Sequence, residues 1–410
     1  VQAKGSHMCD IKPPSLLTLG LISGVGPLTM NIITPSLPSI TQEFNIAISM
    51  AQYAMTCFFI GTGFLQLFIG ALSDRFGRRP VLLIAFFIFI LASIICAFSP
   101  TIEWLLIGRT FQAISFAGIA LARSIIRDVY PRSQAVRMNG NVTMLMAIMP
   151  LFGPIIGGYL DEYISWHASF WFTTVLSVIA LIVIYYDVPE TLQKTNNEIK
   201  LRLNDYKLLI QNKTYWHYVT LVSCTAAGFF TFIGGSPYIA QDIYHISPSH
   251  YGLYAICPAL GYIIGNFIAA QNSDKFSLEF MQFIGALITF SSSILMFLTT
   301  GFFPNYVIGL FIPFIVLGIG NGLTLPNASI GALSVDPKLI GSAAGLMGAA
   351  QMVAGAISAA IVVYFLSPEL GALPMHLAVF VVSALSLVSA YILLKQHLVQ
   401  NSIESPTKEA

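Results

Sequence analysis

Twelve separate runs of about twenty apolar residues dominate this sequence, and that repetition constrains the fold more than any other feature. They cover residues 15–38, 48–72, 80–98, 102–125, 138–160, 168–186, 216–240, 251–270, 280–299, 304–326, 341–365 and 373–394. A hydrocarbon layer of about 30 Å needs about 20 residues of helix to cross it. Runs such as Val81–Ala97 are continuously apolar and lack the alternation that a lipid-facing β-strand requires. The expected fold class is therefore an all-α polytopic membrane protein of twelve transmembrane helices. Only 9% of the residues are charged, against about 25% in a soluble domain. The net charge of +1 gives no reason to expect a nucleic-acid partner. The lipid bilayer is the expected surrounding.

One long polar stretch, Asp187–Thr214, divides the runs six and six and carries Lys194, Lys200, Arg202, Lys207 and Lys213. The expected organisation is a scar at 1–8, a six-helix bundle over 9–186, a cytoplasmic linker at 187–214, a second bundle over 215–396 and a tail at 397–410. Within the linker, Ile199–Ile210 has the composition of a short helix lying on the membrane surface. Apart from Lys4 in the scar and Arg109 inside a run, every lysine and arginine falls on the side that contains both termini. The opposite loops hold Glu43, Asp161, Glu162 and Glu369. The positive-inside rule therefore puts both termini in the cytoplasm.

An internal repeat supports the division. Ser73-Asp74-Arg75-Phe76 after the second run matches Ser273-Asp274-Lys275-Phe276 after the eighth. Ser36-Leu37-Pro38 is echoed by Ser236-Pro237. Parallel repeats of this kind place a substrate site between the halves, near the midplane. The two bundles are thus expected to be pseudo-symmetric. Cysteines 9, 57, 96, 224 and 257 are scattered without metal-binding spacing, so neither a metal nor another cofactor is expected.

Three segments carry chemistry. Gly70, Asp74, Arg75, Gly77, Arg78 and Arg79, followed by Pro80, form a tight basic turn between the second and third runs. Glycine permits the turn and proline suits the first turn of the next helix. Asp74 can meet a helix N-terminus or a neighbouring arginine. With Asp128, these residues form a candidate cytoplasmic gate. In the fifth run, Gly153, Pro154, Gly157 and Gly158 combine a bend with close helix approach. Arg109 lies about 10 Å from the opposite face, where a charge costs at least about 2.5 kcal/mol unless it is paired or hydrated. It is expected to face a hydrated cavity or to bond a neighbouring helix.

These segments resemble the major facilitator superfamily. Gly70–Pro80 is similar to the family signature between helices two and three, and Leu105–Gln112 resembles its fourth-helix arginine motif. Gly153–Gly158 is similar to the fifth-helix motif of its drug antiporters. Pro326-Asn327-Ala328, Gly341–Gly345 and Gln351 resemble drug:proton antiporters of the bicyclomycin/chloramphenicol-resistance (Bcr/CflA) type. The resemblance implies efflux of small drug-like molecules by alternating access, coupled to protons, in the bacterial inner membrane, by a monomer. It also implies that the fifth-helix motif is a gating contact. One position departs from the pattern: Asn31 stands where related exporters carry an aspartate. Asn31 and Arg109 lie at similar depth and are expected to be within hydrogen-bonding reach. The protonatable groups left are Asp74, Asp128, Asp161, Glu162 and Asp242. Gln112, Tyr53, Phe59, Met146, Tyr238, Tyr254 and Tyr262 complete the candidate cavity, each with ordinary helix packing as its plainer explanation.

Enzyme classes lack their parts, since HExxH, GxSxG and a histidine deep in a helix are all missing from the sequence. The absence of a Gly-Lys dipeptide removes the phosphate loop of an ATP-driven pump. A cavity with Arg109 and no carboxylate favours anions, so a polycarboxylate siderophore is the alternative substrate class.

Overall fold

The structure is a computed structural model that describes residues 13–192, 203–303, 306–336 and 339–404. The expected scar at 1–8, Cys9, the polar segment 193–202 and residues 405–410 of the tail lie outside the described residues. The described chain is helical, with twelve helices long and apolar enough to cross a membrane. The first half contains α1 (Leu16–Phe44), α2 (Ile48–Phe76), α3 (Arg78–Ala97), α4 (Ile102–Val129), α5 (Arg132–Tyr163) and α6 (Trp166–Asp187). A short helix, α7 (Leu203–Gln211), follows in the polar segment where the surface helix is expected. The second half contains α8 (Lys213–Ile243), α9 (Pro248–Asn272), α10 (Leu278–Phe302), α11 (Ile308–Ser334), α12 (Ile340–Phe365) and α13 (Leu373–Glu404).

Polar residues at the boundaries fix where several helices begin. The side chains of Ser15, Asn212, Ser247 and Ser277 accept from the backbone N–H groups of Thr18, Tyr215, His250 and Phe280. Each satisfies a donor that hydrocarbon could not solvate. The first run extends past its expected end at 38. A 3₁₀ turn at Thr34–Ser36 carries Pro35 without ending the helix, which resumes until Asn45 turns left-handed at φ 50°.

Small residues set the distances between helices. A Cβ added to Gly118 of α4 or Gly157 of α5 would overlap the α1 carbonyls of Ile22 and Ile32 respectively. In the second half, Gly261 and Gly265 of α9 press against Ile315 and Ile319 of α11 in the same way. Membrane helices gain their contact area from such close approach. Gly341 and Gly345 of α12 behave differently from these. Gly345 lies 3.3 Å, measured from an added Cβ, from the Gln66 carbonyl, whereas no described atom lies within 4 Å of one at Gly341.

The buried core shows how the halves meet. One apolar cluster contains Phe58, Phe59 and Trp166 from the first half together with Phe230, Phe311 and Phe314 from the second. Phe59 and Phe230 touch across the seam with ring centroids 4.6 Å apart. Two further clusters each belong to one half: Leu19 to Val188, and Leu209 to Leu393. The shared cluster occupies the end away from the linker, termed the distal end below. The separate clusters occupy the linker end. Gly70 of α2, Gly140 of α5 and Gly341 of α12 all lie towards the linker end, and an added Cβ on any of them would meet no described atom within 4 Å. The halves thus share one core at the distal end and keep separate cores towards the linker, where α2 still meets α12 at Gln66 and Gly345.

Candidate functional site

The distal seam is made by α5 and α9. An added Cβ on Gly158 would overlap the Pro248 carbonyl, and one on Gly252 would overlap that of Pro154. Side chains close the rest. Glu162 Oε2 accepts from the Ser249 N–H at 3.0 Å, and Gln241 Nε2 donates to the Pro35 carbonyl at 2.7 Å. Asp161, beside Glu162, accepts from Ser39 Oγ at 2.7 Å. Of the fifth-helix motif, Gly153 and Gly157 pack against α1 within the first half, while Pro154 and Gly158 form the contact between halves.

Arg109 does not face an open cavity. It is completely buried within the first half and binds two other helices, α1 and α2, besides its own. Its Nε donates to the Ala54 carbonyl at 3.1 Å, and Nη1 donates to the Thr29 carbonyl at 3.2 Å and to Gln112 Oε1 at 2.9 Å. Nη2 approaches Met55 Sδ at 3.6 Å, and the Phe58 ring lies 4.4 Å from the guanidinium carbon. Gln112 Nε2 passes the chain on to Ser93 Oγ at 2.8 Å. Carbonyl dipoles and an aromatic face thereby offset the cost of burying the charge. Asn31 takes no part in this cluster, because its Nδ2 donates to the Pro27 carbonyl at 2.8 Å, one turn back on its own helix. Its Cβ abuts Gly153, and this packing turns its amide away from the expected bond with Arg109.

At the linker end of the first half, Arg78 is the hub of the predicted gate. It is 97% buried, forms an ion pair with Asp74, and donates Nε to Asp128 Oδ2 at 3.1 Å and Nη1 to Ser73 Oγ at 2.5 Å. Arg79 Nη2 reaches the Tyr185 carbonyl at 2.6 Å, and Arg75 lies over Phe76. Sequence reasoning missed Glu190. Its carboxylate accepts from the backbone N–H groups of Arg78 at 3.0 Å and Arg79 at 3.2 Å, capping α3. Gly77 makes this possible, with φ at 100° and no side chain where Glu190 Oε2 must pass. Only the glycine–proline bracket of this turn hinted that something approaches closely.

The remaining cavity candidates are not brought together. Tyr53 lines a cleft of about 270 Å³ between α2 and α12 at the distal end, with Gln52 and Tyr364. Phe59 lies in the shared core and Tyr238 is half-buried at its edge. Tyr254 stacks on Phe311 inside the second half at 5.2 Å. Met146 is half-buried on α5. Asp242 is exposed in the π-helical turn that ends α8. His376, in the first turn of α13, is buried against Phe297, so this half does enclose a histidine. Tyr262 is half-buried on α9. Arg123 of α4 is exposed near the linker end of its helix. On sequence it counts only as a basic residue near a helix end.

Comparison with known proteins agrees with this geometry. The profile of the family described as Major Facilitator Superfamily matches residues 19–359. A bicyclomycin resistance protein homolog of Haemophilus influenzae is 28% identical over 357 residues, covering 85% of this chain and 88% of that protein. Multidrug resistance protein D of Escherichia coli is also 28% identical, covering 84% and 87%. Among solved structures, a bacterial homolog of the human lysosomal transporter Spinster, inward-facing and unoccupied, aligns with a TM-score of 0.72 at 16% identity over 93% of this chain and 97% of that one. The D-xylose–proton symporter aligns with a TM-score of 0.71 at 16% identity, covering 92% and 96%.

Proposed function

The chain belongs to the Major Facilitator Superfamily, and from that premise we propose that it exports small drug-like molecules from the cytoplasm by alternating access, driven by protons. One observation carries the reading. The halves share one core at the distal end, where Gly158 and Gly252 admit backbone of the opposite half, and keep separate cores at the linker end. The basic residues of the linker end support a cytoplasmic position for it. Closure on the outer side with separate cores on the cytoplasmic side fits the inward-facing state that loads an exporter. Relatives named for bicyclomycin and multidrug resistance support drug-like cargo.

Proton coupling needs a carboxylate whose environment changes as the halves rock. Asp161 and Glu162 meet that need, because they lie at the distal seam and Glu162 bonds across it. Protonation of Glu162 would weaken its bond to Ser249 and favour opening outward. A monomer contains both halves of the pathway, so no second copy is required for this cycle.

The test is transport into everted membrane vesicles containing the protein. With an acid-inside gradient, chloramphenicol should accumulate above the level in vesicles without the protein, and a protonophore should abolish the difference. Equal accumulation in both preparations would refute the reading.

A further inference from the structure

We propose that the distal cleft between α2 and α12 binds a small neutral molecule that carries an amide group on an aromatic or similarly flat ring. The cleft, of about 270 Å³, is lined by Ser49, Gln52 and Tyr53 of the first half and by Ile361, Tyr364 and Phe365 of the second. The proposal stands apart from the export reading, since it concerns what this cleft holds and not the direction of transport.

Gln52 is the reason to expect a ligand here. It is 2% exposed, yet neither its amide nitrogen nor its amide oxygen has a hydrogen-bond partner among the described residues. Residues 49, 52 and 53 share one face of α2, because residues three and four apart are neighbours on a helix. That face turns Gln52 towards the second half. Its Nε2 lies 3.1 Å from the position that a Cβ on Gly234 of α8 would take, and the Cβ of Ala359 on α12 lies 3.0 Å from the same position. The amide therefore sits at the inner end of the cleft, where α2, α8 and α12 meet. Neither Gly234 nor Ala359 has a polar side chain to offer it. Other buried amides of the membrane helices are bonded: Asn31, Gln112 and Asn327 each donate a hydrogen bond. Gln282 of α10 shares the lack of partners, but Gln52 differs from it in lining a cleft.

An unpaired amide fixes the ligand chemistry. It presents an acceptor oxygen and an N–H donor side by side. A second carboxamide matches both at once: Nε2 of Gln52 donates to the ligand oxygen, and Oε1 accepts from the ligand N–H. A carboxylate offers no donor and an ammonium no acceptor, so either would leave one of the buried groups unpaired and would itself lose hydration. Tyr53 and Tyr364 are exposed members of the same lining and supply aromatic faces for a flat ring. Because the ligand would touch both halves, it would bind the distally closed form more tightly than an open one.

Binding to the purified, full-length protein in nanodiscs tests the site. The probes are benzamide, acetophenone (the same shape with a methyl group in place of the amide nitrogen) and benzoate. Each is titrated by ligand-observed magnetic resonance, with protein-free nanodiscs measured alongside to remove partitioning into lipid. Benzamide should bind at least about tenfold more tightly than acetophenone. Gln52→Met, which keeps a chain of similar length, should abolish that preference. Tyr364→Ala, at an exposed position, should weaken benzamide several-fold. Lys207→Ala, which removes an exposed charge from α7, should change nothing beyond twofold. Equal affinity for benzamide and acetophenone, or a preference that survives Gln52→Met, overturns the proposal. So does unchanged benzamide binding in Tyr364→Ala, or tighter binding of benzoate than of benzamide. The chloramphenicol assay above is independent: should transport fail while benzamide binding follows Gln52, the carrier reading falls and the amide site stands.

Discussion

Glu162 and Ser249 belong to different halves of the molecule, and the carboxylate of the first accepts a hydrogen bond from the backbone N–H of the second at 3.0 Å. Ser249 lies in the first turn of α9, so Glu162 also complements the positive end of that helix. Because Glu162 is exposed, the contact is worth on the order of 0.5–1 kcal/mol. Glu162→Ala should therefore shift the equilibrium a few-fold towards the outward-open form. Labelling of a cysteine placed at Ser36, which is buried here, reads the shift as faster modification from outside. An unchanged labelling rate would mean that the seam is held by other contacts.

Gly158 makes a stronger demand on the same seam. Its missing side chain leaves room for the Pro248 carbonyl, and backbone cannot move aside as a flexible side chain can. Gly158→Ala should force α5 and α9 apart and lower transport by about tenfold or more, while insertion and abundance stay normal. Full turnover by this variant would show that distal closure is not part of the cycle.

The number of membrane helices and their division into halves were legible in the sequence because the bilayer leaves a chain few alternatives. The turn at Gly70–Pro80 was legible because glycine and proline mark backbone geometry locally. Glu190 was not, since it reaches Arg78 across 112 residues of chain. The opposite exposure of Arg109, buried, and Arg123, exposed, was also hidden. An even helical count carries both to nearly one face of α4. The 3₁₀ turn at Ala113–Phe116 advances the helix by roughly 80° more than four α-helical residues would. Depth can be read from hydropathy, but the facing direction depends on that turn.

The burial of Arg109 predicts a stability phenotype. Arg109→Ala should lower the melting temperature of the purified protein strongly, because it opens a void among α1, α2 and α4 and leaves Gln112 Oε1 without its donor. Arg109→Met fills the space without the charge and should lose less, as buried ion clusters often tolerate apolar replacement. Both variants that fold should bind chloramphenicol within twofold of the wild type. A selective loss of that binding with unchanged melting would return Arg109 to the substrate site.

Arg78 and Asp74 are predicted to differ although they form one ion pair. Asp74→Asn leaves Asp128 and Ser73 holding the guanidinium, and the half-exposed carboxylate contributes less than about 1 kcal/mol. Arg78→Ala removes all three bonds and should cost about 1–3 kcal/mol. Thermal melting of the two variants checks the order. Comparable losses would mean that Asp74, not Arg78, is the hub.

The central claim is that one molecule exposes the space between its halves to each side in turn. Two spin-label pairs in a cysteine-free background test it by pulsed distance measurement. Gly70→Cys with Gly341→Cys spans the linker end, where both positions have open space. Ile164→Cys with His250→Cys spans the distal end, where both residues are exposed. Acidification with saturating chloramphenicol should shorten the first distance and lengthen the second in the same sample. Two distances that stay fixed, or that change in the same direction, would contradict alternating access by rocking of the halves.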